Sequence, residues 1–205
     1  MWIDPPGADA VLVLAHGAGS GMRTPFLTGF ADAIGGLGVA TLRFEFPYMV
    51  AGRRAPDRPP VLLEAWRHAF AEGVSHAGGR PVLAGGKSMG GRIASMAAAE
   101  SMPAAGLVFL GYPLHPPGRP DRIRDQHLDA VPVPMLFLQG TRDAFARPDL
   151  LAAVLARLGA RAQHVPVEGG DHSFRVPGGP RDAAVIGAGL AAPAAEFVRR
   201  VAAAA

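Results

Sequence analysis

The alternation of two kinds of apolar segment constrains the fold of this 205-residue chain more than any other feature. Short, continuous apolar runs, such as residues 10–15 and 133–138, are separated by segments whose apolar residues recur every three or four positions. The runs are typical of strands buried on both faces, and the periodic segments are typical of amphipathic helices. The alternation therefore predicts βαβ units and a mostly parallel sheet with helices on both faces.

The same pattern predicts the order of the elements. About six strands are expected, at residues 10–15, 39–46, 81–84, 106–110, 133–138 and 162–167. Helices are expected between them, and a closing helix within residues 183–204 should break or kink at Pro193. Residues 49–60 are expected to form an exposed loop, and the Pro-rich insert 111–132 is too short for a helical cap. A chain of this length is expected to form one domain, residues 1–205.

The composition excludes several classes of protein. The isoelectric point is near 10.1, but the net charge is only +3, and the scattered arginines form no long basic tract, so we expect no nucleic-acid partner. The absence of Cys excludes disulfides and thiolate metal sites. No apolar run is long enough for a membrane span, and residues 1–6 do not resemble the start of a secretory signal. We therefore expect a cytoplasmic protein without a membrane partner, metal or cofactor.

Residues 86–90 read Gly-Lys-Ser-Met-Gly and lie between a predicted strand and a predicted helix. In this setting Gly-x-Ser-x-Gly is the signature of a nucleophile elbow, in which small residues must flank a sharp turn. The pentapeptide alone could arise by chance in a chain with 27 Gly, and Gly-Lys-Ser also ends a phosphate-binding P-loop. The P-loop requires a glycine at the position of Pro81 and a loop in place of the strand. We therefore interpret Ser88 as a nucleophile.

Two further polar residues follow predicted strands later in the chain. Asp143 comes after residues 133–138, and His172 comes after residues 162–167. A carboxylate of this kind fixes the tautomer and orientation of a catalytic histidine, and the order Ser, Asp, His is that of α/β-hydrolases. Of the seven histidines, only His172 lies at a strand end after Asp143. Taken alone, Asp143 would more simply be a turn residue or a helix cap.

Residues 16–19, which read His-Gly-Ala-Gly, follow the first strand. An oxyanion hole requires two backbone N–H groups, and we expect one from Ala18 in this turn and one from Met89 after the nucleophile. By itself, the segment is equally well interpreted as a glycine-rich turn.

With these residues, each after its own strand, the chain resembles the α/β-hydrolase superfamily over essentially its whole length. Its motifs are similar to those of a compact, lidless, dienelactone-hydrolase-like branch, which includes a hydrolase-like domain of a chromatin acetyltransferase-complex subunit and of a testis-expressed protein. The motifs are His-Gly-Ala-Gly-x-Gly, Thr-Leu-Arg-Phe-Glu-Phe-Pro-Tyr, Gly-Gly-Lys-Ser-Met-Gly-Gly-Arg, Gly-Tyr-Pro-Leu-His-Pro-Pro-Gly and Gly-Asp-His-Ser-Phe. The resemblance implies a compact α/β-hydrolase fold in which the first hairpin and the lid of larger members are missing. Dienelactone hydrolase itself differs in its Cys nucleophile.

Four more residues are expected to border a substrate pocket: His16, Lys87, Tyr112 and His115. Lys87 is the only lysine among 20 Lys and Arg residues, and it lies beside the nucleophile. Our hypothesis is that its ammonium or its slim stem is needed there, although codon bias would give the same pattern. Arg43 and Glu45 end the second strand and could pair near the site, for which a structural salt bridge is the simpler interpretation.

The residues together predict acyl transfer from a small, accessible ester or thioester to water, through Ser88, His172 and Asp143. Two alternatives stay open at this stage. The fold could serve as a non-catalytic interaction domain, or the same triad could belong to a peptidase or amidase. The expected partner is a small ester-like molecule, and the oligomeric state is not defined by the sequence.

Overall fold

The computed structural model describes residues 1–205 and contains one seven-stranded sheet in the order β1-β3-β2-β4-β5-β6-β7. The strands are β1 (Trp2–Ile3), β2 (Ala10–Ala15), β3 (Val39–Phe44), β4 (Val82–Lys87), β5 (Leu107–Leu110), β6 (Met135–Gly140) and β7 (Ala162–Val167). Only β1 is antiparallel to its neighbour, and it pairs with β3 rather than with β2, so it forms no hairpin with the next strand. The predicted mostly parallel sheet is confirmed, with one strand more than expected.

The helices are α1 (Pro25–Gly36), α2 (Pro47–Val50), α3 (Pro59–His76), α4 (Met89–Ala99), α5 (Pro148–Leu158), α6 (Ala183–Ala188) and α7 (Ala191–Ala202). Proline begins four of them, which is favourable because the first helical residue has no intrahelical N–H bond to lose. None of the helices is both long and apolar enough to cross a bilayer.

The sheet is covered on both faces, as predicted. One core cluster of 33 residues joins it to α3, α4 and α5, and a second of 21 residues joins it to α1 and α7. Strand β2 contributes Val11 and Val13 to the first cluster and Leu12 and Leu14 to the second, because successive side chains point to opposite faces. Continuous apolar runs are therefore required in the central strands.

Several boundaries differ from the sequence predictions, and three of them differ for identifiable reasons. Strand β4 extends to Lys87 because Gly85 and Gly86 pair with β2 instead of forming the turn. The closing helix breaks at Gly189–Leu190, before Pro193, which lies in the first turn of α7 where its missing N–H removes no helical bond. The predicted exposed loop is shorter because α2 occupies residues 47–50.

Helices α1 and α6 touch backbone to backbone. A Cβ on Gly29 of α1 would overlap the backbone of Ala184, and a Cβ on Gly187 of α6 would overlap the carbonyl of Phe26. Both glycines are therefore needed for the approach of the two helices.

We expect Gly29→Ala to lower the free energy of unfolding by about 1–3 kcal/mol, because α6 must move away from α1 to admit the methyl group. Urea unfolding followed by circular dichroism would measure the change. The matched control is Gly36→Ala in the last turn of α1, where a Cβ has open space and alanine favours the helix. Equal losses in the two variants would contradict the proposed contact.

Candidate active site

The predicted nucleophile, base and acid lie together at the carboxyl edge of the sheet, where parallel α/β sheets place their sites. Ser88 follows β4, Asp143 follows β6 and His172 follows β7. The Ser88 Oγ lies 2.8 Å from the His172 Nε2, and the His172 Nδ1 lies 2.7 Å from the Asp143 Oδ2. The carboxylate is fully buried, whereas the His172 side chain is 21% exposed. Solvent and small molecules can therefore reach the imidazole while the acid is shielded.

Ser88 adopts an unusual backbone conformation, with φ 51° and ψ −117°. Residues other than glycine rarely occupy this region, and such strain is typical of functional sites. The Ser88 N–H donates to the carbonyl of Leu110 on β5 (3.2 Å), and the Ser88 carbonyl accepts from the Arg92 N–H in α4 (3.1 Å). The hydroxyl is thereby held at the tip of a turn between strand and helix.

The Asp143 carboxylate is held by neighbouring groups. Its Oδ1 accepts from the Phe145 N–H (2.7 Å), and its Oδ2 accepts from the Gln139 side-chain amide (2.6 Å) as well as from His172. Gln139 is itself fixed, because its Oε1 accepts from the Tyr112 N–H (2.7 Å). The ring of Phe145 stacks on His172 with 4.1 Å between centroids. These contacts limit the positions that the acid and the base can adopt.

The sequence analysis did not identify Gln139 or Phe145. Gln139 was placed after the predicted strand 133–138, whereas in the structure it is a polar residue within the otherwise apolar strand β6. Phe145 carried no signal, since its contact with His172 depends on how the loop after β6 folds.

The two amides predicted to form an oxyanion hole donate no hydrogen bond within the protein. Met89 is the first residue of α4, so its N–H lies at the positive end of the helix dipole. The turn that carries Ala18 lies against the elbow, since a Cβ on Gly17 would be 3.6 Å from the Lys87 carbonyl oxygen. Both N–H groups are therefore without a partner inside the protein.

His16 does not border a pocket, contrary to the prediction, because its side chain is wholly buried. The His16 Nδ1–H donates to the Gly17 carbonyl (2.8 Å), and its Nε2 accepts from the Phe46 N–H (3.1 Å). Burial lowers the pKa of His16 below its usual value, which favours the neutral ring. His16 connects the turn after β2 to the end of β3.

Tyr112 was also predicted to border the pocket, and its side chain instead lies in the core. Its ring packs on Phe109 and Phe137, and its hydroxyl donates to the Arg124 carbonyl (3.1 Å). Burial raises the pKa of Tyr112, because the phenolate would lose its hydration. Tyr112 therefore anchors the insert to the sheet.

His115 is buried as well, and both ring nitrogens are occupied. Its Nδ1 donates to the Pro116 carbonyl (2.9 Å), and its Nε2 accepts from the Arg147 N–H (3.0 Å). The residue borders a cavity of about 310 Å³ shared with Asp143, but not the pocket beside Lys87 described below. Its contacts fix the insert against the loop after β6.

Lys87 precedes Ser88 in the chain, and its side chain reaches the backbone of His172. Its Nζ donates to the His172 carbonyl (2.6 Å) and lies 5.4 Å from the ring centroid of Phe174 and 5.9 Å from that of Phe26. The space around the ammonium is tight, since a Cβ on Gly111 would be 3.1 Å from Nζ. Burial lowers the pKa of Lys87 to about 8. A slim side chain fits this position, whereas a guanidinium would require its neighbours to move.

A pocket of about 180 Å³ opens beside Lys87 and the turn after β2. Gly17 and Lys87 line it on the side of the elbow, and Phe26, Leu27 and Ile186 provide apolar surface. This pocket is large enough for a small acyl group.

The expected pairing of Arg43 with Glu45 is wrong. The Arg43 guanidinium donates to the Thr28 Oγ1 (2.8 Å), and the Glu45 carboxylate accepts from the Met22 N–H (3.3 Å). Strand β3 ends at Phe44, so the alternation that would place both side chains on one face does not continue to Glu45.

Comparison with known proteins gives a family match and several similar folds. A family model described as an alpha/beta hydrolase domain matches residues 8–184. A dienelactone hydrolase from Anabaena variabilis is 24% identical with a TM-score of 0.74, and the match covers 97% of this chain and 89% of that one. A lidless α/β serine hydrolase from Xanthomonas campestris is 18% identical with a TM-score of 0.71, and the match covers 98% of this chain and 92% of that one. An α/β serine hydrolase homologue from Coxiella burnetii is 18% identical with a TM-score of 0.71, and the match covers 98% of this chain and 89% of that one.

Because Lys87 is the only lysine, its titration can be followed without assignment. With ¹³C-labelled lysine, we expect one side-chain resonance whose native midpoint lies at about pH 8, because burial disfavours the charged form. The same resonance in concentrated urea should titrate near the ordinary value of about 10.4. A native midpoint close to the unfolded one would contradict the burial of this ammonium.

Proposed function

Because the chain belongs to the alpha/beta hydrolase family, we propose that it is a serine hydrolase that cleaves small carboxylic esters or thioesters. The observation that carries the proposal is the unbroken hydrogen-bonded chain from the Ser88 hydroxyl through His172 to Asp143. In this proposal Ser88 is the nucleophile, His172 the general base and acid, and Asp143 the residue that orients the imidazole.

The first half of the reaction forms an acyl-enzyme. His172 Nε2 accepts the Ser88 proton as Oγ attacks the carbonyl carbon, and the buried Asp143 stabilises the resulting imidazolium. The carbonyl oxygen becomes negative and accepts hydrogen bonds from the N–H groups of Ala18 and Met89. Each such donor contributes about 3 kcal/mol to transition-state stabilisation in serine hydrolases. The acyl-enzyme is complete when the bond from the carbonyl carbon to the alcohol oxygen or thiol sulfur breaks and His172 donates its proton to the departing alcohol or thiol.

The second half releases the acyl group, after a water molecule has taken the place of the alcohol or thiol. The same imidazole deprotonates this water as it attacks the acyl-enzyme, which regenerates the Ser88 hydroxyl and releases a carboxylic acid. The exposed part of His172 gives water this access.

The size of the pocket beside Lys87 supports a small acyl group. Its volume of about 180 Å³ is below the range of about 300–1,000 Å³ typical of sites for drug-sized ligands. Apolar contacts from Phe26, Leu27 and Ile186 suit a short aliphatic chain. An ester is our first choice over an amide because an alcohol or thiol leaves more readily than an amine.

Lys87 acts through His172 in this proposal and is a positioning residue. The carbonyl of His172 accepts from the Lys87 Nζ, so the lysine joins the end of β4 to the loop that carries the base. The stacked rings of Phe26 and Phe174 lie on one side of the ammonium. The distance between Ser88 and His172 therefore depends on Lys87.

We expect wild-type protein to be labelled by a fluorophosphonate probe and Ser88→Ala to be unlabelled, because the probe reacts with an activated serine hydroxyl. The control Ser75→Ala, on an exposed turn of α3, should be labelled like wild type. A p-nitrophenyl ester series run in parallel should favour short acyl chains. Persistent labelling of Ser88→Ala would exclude Ser88 as nucleophile, and an unlabelled wild type would favour the interaction-domain alternative.

We expect Lys87→Met to lower kcat for p-nitrophenyl acetate about tenfold and to leave KM little changed, because lost positioning acts on the transition state. Lys87→Arg should not restore the rate, since the surroundings of Nζ leave little space for a guanidinium. Thermal unfolding would verify that both variants are folded. A wild-type kcat in folded Lys87→Arg would disprove the requirement for lysine.

A further inference from the structure

A groove of about 730 Å³ borders the loop that carries His172. Residues 175–181 form much of its lining, and Arg142, Gly169 and Asp171 complete it. Three exposed arginines contribute to its lining: Arg142, Arg175 and Arg181. The groove is therefore much larger than the small pocket beside Lys87.

The three guanidinium groups in the groove have no partner. None of them forms an ion pair or a side-chain hydrogen bond, whereas arginines elsewhere, such as Arg80 and Arg157, pair with aspartates. Asp171 is the one carboxylate in the lining, and its Oδ1 accepts from the backbone N–H groups of Ser173 and Arg175. Three positive charges thus face one negative charge that is already bound by the loop.

The arginines are attached to the same loops as the proposed catalytic residues. Arg142 precedes Asp143, and its N–H donates to the Gly170 carbonyl (2.9 Å). The Asp171 N–H donates to the Arg175 carbonyl (3.1 Å) in the turn that contains His172. Arg175 also lines the small pocket beside Lys87, so the groove and that pocket share a wall.

We propose that this groove binds phosphate groups carried by the leaving alcohol or thiol of the substrate, while the acyl group occupies the pocket beside Lys87. The inference rests on the proposed function and extends it to a substrate class. A groove of about 730 Å³ with three guanidiniums is larger and more positively charged than a site for a single carboxylate has to be. The volume of the groove lies within the usual range for a ligand site. Guanidinium groups bind phosphate oxygens through two parallel N–H bonds.

The first experiment compares two thioesters with the same acyl group and the same amide-bearing thiol end. Acetyl-coenzyme A carries phosphates, and S-acetyl-N-acetylcysteamine does not. We expect kcat/KM to be at least about tenfold higher for acetyl-coenzyme A, and this ratio to fall at high salt, which screens exposed charges. A wild-type ratio near one would overturn the proposal.

Single substitutions test whether the arginines cause that ratio. Arg142→Gln and Arg181→Gln should each lower the ratio about threefold to fivefold, the effect of losing one exposed charge pair. The control is Arg58→Gln, which removes an exposed, unpaired arginine that does not line the groove. An unchanged ratio in both groove variants, or an equal fall in Arg58→Gln, would exclude a site in the groove.

Direct binding separates this proposal from the proposed function. Calorimetry with Ser88→Ala should detect coenzyme A, and Arg142→Gln in that background should weaken its binding. Binding of coenzyme A by a protein that hydrolyses neither thioester and no p-nitrophenyl ester would remove the proposed function and leave the anion site. Hydrolysis of S-acetyl-N-acetylcysteamine without coenzyme A binding would remove the anion site alone. Equal binding of adenosine 3′,5′-bisphosphate with a thioester ratio near one would assign the groove to a free nucleotide and overturn the leaving-group proposal.

Discussion

The ends of β2 and β4 meet so closely that no side-chain carbon fits between them. A Cβ on Gly86 would overlap the Ala15 backbone, and a Cβ on Gly90 would lie 2.6 Å from the carbonyl oxygens of Ala15 and His16. Helix α4 must therefore begin against the end of β2, and the chain has a single residue in which to turn from strand to helix. The strained backbone of Ser88 is a consequence of this approach.

Around this contact the protein uses buried polar groups mainly to hold backbone. His16 binds two main-chain groups, Gln139 joins a main-chain amide to Asp143, and Lys87 holds the carbonyl of His172. Each of these side chains connects segments that are far apart in sequence. The loops at the carboxyl edge of the sheet are therefore tied to the sheet at several points, which limits their movement without a covering lid. This arrangement suits a compact hydrolase fold, in which few residues remain to position the site.

The succession of strands and helices and the places of Ser88, Asp143 and His172 could be predicted because they depend on position along the chain. The backbone of a residue that follows a buried parallel strand lies at the carboxyl edge of the sheet, whichever direction its side chain takes. The direction of a side chain in a loop is not determined in this way. His16 and His115 also follow strands, yet each turns inward to bind a main-chain amide. The role of Gln139 could not be predicted because it depends on hydrogen bonds with Tyr112 and Asp143, which are 27 and 4 residues away and come within bonding distance only in the folded chain.

Because Lys87 is the only lysine, cleavage by a lysine-specific protease can report whether the core of the protein is folded. A protease specific for lysine has one peptide bond to cut, the bond between Lys87 and Ser88. That bond lies at the end of a strand with neighbours on both sides, in a turn too tight to enter a protease cleft. Cleavage therefore requires the centre of the sheet to open, and a single cut separates the nucleophile from the first half of its own elbow. The rate of that cut measures how often the core of the molecule comes apart, in a way that fraying of the termini cannot imitate.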